Sequence, residues 1–236
     1  NLKTLEFILS RFADASVFGE DEREAHMSKG SGYLLHLAYV DEHLPGGRAA
    51  MLAGLRDPKL RAFFEQTFFA GHLVDIYPLV AVGHTCARIV GTSFERFIRL
   101  RSRHQAEGDL RLFRKLILRI ASPEMLASRI PAIVASYFDF AKAEVVEKKP
   151  AAITALVHGV PKELAPWMSY VADETVRFML EYNGVKEFRS RIAFEPGGER
   201  DGRELVAIRS TLAQHLAARL HGAHTGPLLR AGPVMM

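Results

Sequence analysis

The sequence predicts an α+β fold, in which an N-terminal helical bundle packs with a four-stranded, mainly antiparallel sheet and a tail helix follows. Three observations carry this. Apolar residues recur every three or four positions through the first half of the chain, the period of amphipathic helices. Near Phe138 the period changes, and the order becomes strand, strand, helix, strand, strand. The turns inside each strand pair are too short for a parallel crossover, which makes each pair antiparallel.

The elements follow in order. Leu2, Leu5, Ile8, Leu9 and Phe12 share one helical face, and Gly19–Glu24 reads as a solvated linker, so residues 1–27 form an N-terminal helix-and-linker extension. From Ser31 a helix runs to Leu44 and stops at Pro45-Gly46-Gly47. Further helices are predicted at about 48–55, 58–68 and 73–90, the second opened by Asp57 as N-cap with Pro58 at its first position. Thr92 or Ser93 caps a helix carrying Phe94, Phe97 and Ile98. Asp109 caps another with Leu110, Phe113, Leu116, Ile117 and Ile120, and Ser122-Pro123-Glu124 opens the last. Ala141, Ala143 and Val145 alternate with charged residues as a half-buried strand does, and Ile153, Ala155 and Val157 continue on a second strand beyond Lys148-Lys149-Pro150. After Pro161 one apolar stripe joins Leu164, Trp167, Met168, Val171, Phe178 and Tyr182, and Asn183-Gly184 ends this helix. Phe188, Ser190, Ile192 and Phe194 form a third strand, Pro196-Gly197-Gly198 turns the chain, and Leu205–Ile208 is a buried fourth strand. The domain proper spans 28–209, and 210–236 is a C-terminal helix with a frayed tail.

Composition narrows the function classes. At 236 residues, 48% hydrophobic and 25% charged, the chain builds a large core and is not a disordered one. A single cysteine, Cys86, excludes an intrachain disulfide framework and a cysteine-rich zinc site, and a cytoplasmic setting is expected. No apolar run approaches the length that spans a bilayer. The net charge of +4 permits anionic partners without requiring them.

Short motifs add a resemblance. Lys29-Gly30-Ser31-Gly32 leads into Tyr39-Val40-Asp41-Glu42, Ile76-Tyr77-Pro78-Leu79 opens a helix, and Ser122-Pro123-Glu124-Met125-Leu126 precedes Tyr137-Phe138-Asp139. Over about residues 28–209 the chain resembles a myxobacterial paralogous family. That family lies within the fold group of heme nitric-oxide-binding domains, 4-vinyl-reductase-type small-molecule sensors and Golgi transport tethering subunits. The resemblance implies a regulatory domain, with dimers and a ligand cavity between helices and sheet known in the group. The heme-binding members use an axial histidine and a Tyr-x-Ser-x-Arg motif that holds the propionates; that motif is absent, so no heme or other cofactor is expected. Glu195-Pro196-Gly197-Gly198-Glu199-Arg200 replaces the cysteine-rich zinc loop of the sensors, so no zinc is expected there.

No catalytic constellation stands out, and the expectation is a non-enzyme. His72, Asp75, His84 and Cys86 are ligand types too spread along a helix to converge on one metal, so no metal ligand is assigned. Cys86 lacks a base on its own helical face, and Gly30-Ser31-Gly32 is half of a dinucleotide fingerprint, without preceding strand or third glycine. Phe94, Phe97, Phe113, Tyr137, Trp167, Met168 and Phe178 are the candidate lining of a ligand pocket. Arg111, Arg114, Lys115 and Arg119, within a basic run that starts at Arg96, are the candidate face for an anionic partner. The first function expected is a regulatory or adaptor domain acting through protein–protein contact as a homodimer. The alternatives are a sensor of a small apolar ligand between helices and sheet, and binding of nucleic acid or an anionic surface through the Arg96–Arg119 face.

Overall fold

The structure is a computed structural model and describes residues 26–117, 127–149, 152–182, 188–200 and 202–214. A short strand β1 (Met27–Lys29) leads into helices α1 (Ser31–His43), α2 (Gly47–Gly54) and α3 (Pro58–Glu65), then strand β2 (Leu73–Asp75) and helices α4 (Tyr77–Ile89), α5 (Phe94–Ile117) and α6 (Ile130–Tyr137). The second half runs β3 (Lys142–Lys149), β4 (Ala152–Pro161), α7 (Ala165–Tyr182), β5 (Phe188–Arg200) and β6 (Arg203–Gln214). The four later strands form one antiparallel sheet in the order β3-β4-β6-β5. The predicted α+β class and the strand–strand–helix–strand–strand order are both present.

Local chemistry explains the elements. Asp57 accepts hydrogen bonds from the backbone N–H of Lys59 (2.8 Å) and Leu60 (3.2 Å), so α3 opens on the cap its sequence announces. Asp75, one residue before the N-cap position of α4, accepts from Tyr77 N–H at 2.9 Å. Alternation along β4 and β6 puts Ile153, Ala155, Val157, Ile208 and Leu212 on the inner face. Thr154, Arg209 and Thr211 share the other face, where Arg209 pairs with Glu195. One continuous core takes in Tyr33 of α1, Val82 of α4, Phe97 of α5, Trp167 of α7 and Ile208 of β6, so helices and sheet share it.

Four expectations are corrected. β1 and β2 pair antiparallel (Met27 with Asp75, Lys29 with Leu73), where the sequence suggested a helix from 73. Three-residue strands carry no readable period. Asp109 caps no separate helix, because α5 runs unbroken through it. Pro196-Gly197-Gly198 lies inside β5 as a bulge and not a turn, with Gly198 at φ +86° and a Cβ on Gly197 falling 2.9 Å from Val206 backbone. The chain reverses at Gly202 instead, at φ +73°. Residues 210–214 belong to β6, where Thr211 pairs with Thr154 and Arg191, so the boundary set at 209 cuts a strand. The N-terminal helix, the Ser122-Pro123-Glu124 opening and the remaining tail fall outside the described residues.

Tyr33 ties the β1–β2 ribbon to the helices. Fully buried, its hydroxyl donates to the Asp75 carbonyl and accepts from Leu79 N–H (3.1 Å), while its ring stacks on Phe68 at 4.7 Å. Tyr33→Phe strands two backbone groups out of reach of water. The expected cost is about 1–3 kcal/mol, read as a lower urea midpoint at unchanged m-value.

Candidate functional site

The end of α1 and the start of α5 enclose a surface groove of about 460 Å³. Helix α1 contributes Tyr39 and His43, with Leu44 just beyond. The α4–α5 turn supplies Val90, Gly91 and Thr92, and Gly91 at φ +66° makes the tight reversal. Ser93 Oγ accepts from Arg96 N–H at 3.2 Å, capping α5 and fixing the first turn that presents Arg96, Phe97 and Leu100. Phe97 is buried and its ring centroid lies 5.7 Å from that of Tyr39, edge to face. Burial, with the Cys86 thiol nearby, raises the Tyr39 phenol pKa, so Tyr39 stays a neutral donor. An apolar floor with Arg96 exposed at its rim suits a small apolar anion. A neighbouring groove of about 350 Å³ shares Arg96 and Leu100 and adds Ser93, Glu95, Arg99 and Glu174.

A polar cluster borders the groove. Glu42 and His43 of α1 and His104 of α5 each bring a potential ligand atom within 4.8 Å of the others. The Tyr39 ring sits 4.7 Å from His43 and 5.4 Å from His104. Sequence reading assigned no metal ligand and did not single out this trio, since His104 lies about sixty residues from the adjacent Glu42 and His43 and no motif links them.

The residues singled out in sequence are dispersed. Phe97, Trp167 and Met168 belong to the main core, with Phe94 packed against it. Phe178 lies in a second cluster with Ala106, Met179, Leu180 and Leu212. Tyr137 packs beside Phe138 at 6.3 Å, and Phe113 has its side chain outside the described residues. Among the six whose side chains are described, Phe97 alone lines the groove at α1 and α5. Gly30 serves packing: its N–H donates to His72 O (2.7 Å), and a Cβ there would sit 2.2 Å from Phe69 O.

The basic run divides between structural roles. Arg99 pairs with Glu95 (2.9 Å) and with Asp173 of α7, and Arg103 pairs with Glu174 (3.2 Å) and Glu181 (2.7 Å). Arg101 is buried and donates from Nη2 to Gly32 O at 3.1 Å. The expected continuous Arg96–Arg119 face is therefore corrected in its first half: α7 carboxylates occupy Arg99 and Arg103, and the core takes Arg101. The side chains of Arg111, Arg114 and Lys115, and all of Arg119, lie outside the described residues.

Two buried groups, Cys86 and His36, and one half-buried group, His84, bear on reactivity and pH. Burial pushes the Cys86 thiol up to about 12, which removes its nucleophilic form at neutral pH. His84 stacks on Phe94 at 3.7 Å, and burial lowers its pKa to about 4. His36 is fully buried between Phe64 and Phe97, and burial, aided by Arg101, holds its pKa well below the usual value. Below pH 6.5 the unfolded chain takes up protons on both histidines while the folded chain does not. Folding stability therefore falls as pH drops from about 6.5 toward 4, by up to about 1.4 kcal/mol per unit for each histidine. Urea midpoints measured from pH 7.5 to 5 check this, and His36→Leu should flatten the decline.

No protein-family model matches the sequence, and no curated protein matches it. Solved structures do. The Fe(II) unliganded H-NOX protein of K. algicida superposes with TM-score 0.55 at 14% identity, covering 81% of this chain and 100% of that one. A point variant of it gives TM-score 0.55, 14% identity, and coverage of 78% and 96%. An oxygen-binding H-NOX domain related to soluble guanylate cyclases gives TM-score 0.52, 10% identity, and coverage of 78% and 94%. The chain therefore has an H-NOX-like fold. Among the described residues no helix is long and apolar enough to cross a membrane.

Proposed function

We propose that this chain is a sensor-type domain that binds a small apolar anion, such as an aromatic carboxylate, in the groove between α1, the α4–α5 turn and α5. The observation that carries it is that groove: about 460 Å³, floored by Phe97 and Tyr39, with Arg96 and His43 on its wall. The likeness of fold to ligand-binding H-NOX domains supports the class. Of the readings expected from sequence, the sensor is preferred, with its ligand moved from the helix–sheet junction to this groove.

Heme is the group the fold implies, and the described residues do not fit it. The helix–sheet junction is filled, with Trp167, Met168, Phe138, Val157, Val160 and Ile208 packed in one core and the Trp167 and Phe138 rings 6.2 Å apart. His36 is a buried histidine whose ring nitrogens have no hydrogen-bond partner among the described residues. It lines neither groove and lies between packed rings beside the Arg101 charge. The reading assigns no reaction, and the high Cys86 pKa supports a binding domain over a thiol enzyme. A cytoplasmic setting and the myxobacterial family remain parts of the proposal supported by sequence alone.

Thermal-shift and calorimetric titration with a panel of aromatic carboxylates tests the groove. Binding is expected to weaken about tenfold in Arg96→Ala, since a charge-assisted hydrogen bond contributes about 1.4 kcal/mol or more. Carboxylate affinity unchanged in that variant, or no binding across the panel, counts against it.

The adaptor reading has one observation of its own. β3 and β5 are the outer strands of the sheet, and Val146 and Phe194 on them are exposed. A second copy pairing along β5 would make the expected homodimer. Light scattering decides: a dimer dispersed by Phe194→Lys supports it, and a monomer at all concentrations removes it.

A further inference from the structure

We infer that Glu42, His43 and His104 form a binding site for a divalent transition-metal ion of the zinc type, clamping the end of α1 to the middle of α5. The donor set is two imidazoles and one carboxylate, the composition that holds catalytic or exchangeable zinc with a fourth position open. All three ligand atoms lie within 4.8 Å of one another, and His43 Nε2 is already 3.6 Å from Glu42 Oε1. A tetrahedral ion with bonds of about 2.0–2.1 Å needs ligand atoms ~3.4 Å apart, so the trio has to close by about an ångström. The side chains of Glu42 and His43 are 62% and 43% exposed, which leaves them free to make that movement.

The ordinary reading of His43 is a basic residue at a helix C-terminus paired with its neighbour. That reading accounts for two members of the trio. It does not account for His104, which comes from a different helix and meets the His43 ring at 5.5 Å, edge to face. The Tyr39 ring touches both imidazoles and holds them on one side of the α1–α5 seam. Because His43 also lines the groove, an ion held here borders the organic-ligand site while using two ligands, Glu42 and His104, that the groove does not.

The inference stands apart from the groove reading, and its experiment uses metal alone. Full-length chain stripped with chelator is titrated with Zn²⁺ by calorimetry and with Co²⁺ by ligand-field absorption. One equivalent is expected to bind, and a hundredfold excess over Kd should raise Tm by about 5–10 °C. His43→Ala and His104→Ala should each weaken binding at least tenfold while leaving the circular-dichroism spectrum and metal-free Tm in place. His72→Ala should change nothing, and Arg96→Ala should spare metal while weakening carboxylates. Absence of saturable binding overturns the site. So does affinity that survives the His43→Ala/His104→Ala double variant, which would locate the metal on other histidines such as His215, His221 or His224.

Discussion

Trp167→Ala is expected to destabilise the protein by about 4 kcal/mol, lowering Tm by roughly 8–16 °C. The indole is 3% exposed and lies in the core shared by helices and sheet, edge-on to Phe138 at 6.2 Å. Truncation removes a large apolar surface from contact and leaves a void that neighbours on a helix and a sheet only partly close. The conservative change separates packing from polarity. Trp167 Nε1 is buried with no acceptor among the described residues, so Trp167→Phe removes an unmet donor along with volume. It should cost only about 1–2 kcal/mol. If the junction were instead a ligand cavity, with Trp167 as its movable wall, truncation to alanine would barely shift Tm.

Arg99→Met is expected to cost about 3 kcal/mol, because it leaves the Asp173 carboxylate buried with its principal cation gone. The Asp173 side chain is 4% exposed, and its remaining basic neighbour, Arg177, is 3.9 Å away. The reverse change is milder. Asp173→Leu leaves Arg99 at 27% exposure with Glu95 at 2.9 Å and Glu174 at 3.9 Å, for an expected cost of about 1–2 kcal/mol. Combining the two exchanges the ion pair for an apolar contact and should return stability to within about 1 kcal/mol of the parent. A double-mutant cycle by urea unfolding reads the coupling directly. Additive costs would show that the Arg99–Asp173 pair itself contributes nothing to holding α5 against α7.

This pairing marks where sequence reading stops. The crowding of arginines in α5 is plain from the chain, but their answering carboxylates lie about seventy residues on. Asp173 and Glu174 sit on a helix whose apolar stripe invites attention to Trp167 and Phe178 instead. An unpaired basic run and a paired one look alike until the two helices are set side by side. The Glu42–His43–His104 trio was hidden for the same reason, since two neighbours on one helix become a ligand set only when a third arrives from another.

What was legible was periodic. Half-buried strands alternate by construction, so Ala143 to Val145 and Phe188 to Ile192 announced themselves, as did the stripe of α7. Asp57 and Ser93 act as caps because a short polar side chain before an apolar run has few other uses. Asp109 carried the same signal and misled. Gly108 lies where a Cβ would meet Leu35 Cδ2 at 3.0 Å, so the glycine before Asp109 serves close passage of α5 against α1 and not a helix break. The Pro196-Gly197-Gly198 turn failed similarly, since the glycines that permit a turn also permit a bulge that lets β5 continue to Arg200.

The most direct test of where this domain takes its ligand is a ¹⁵N–¹H spectrum of the labelled full chain, titrated with an aromatic carboxylate and, in a second sample, with hemin. The expected result is saturable shifts of the Gly91, Thr92, Phe97 and Leu100 amides with the carboxylate, and no saturable shift or paramagnetic broadening of helix–sheet junction amides with hemin. Shifts centred on Val157, Val160, Trp167 and Ile208, or stoichiometric heme uptake, would contradict it by placing the ligand in the helix–sheet junction.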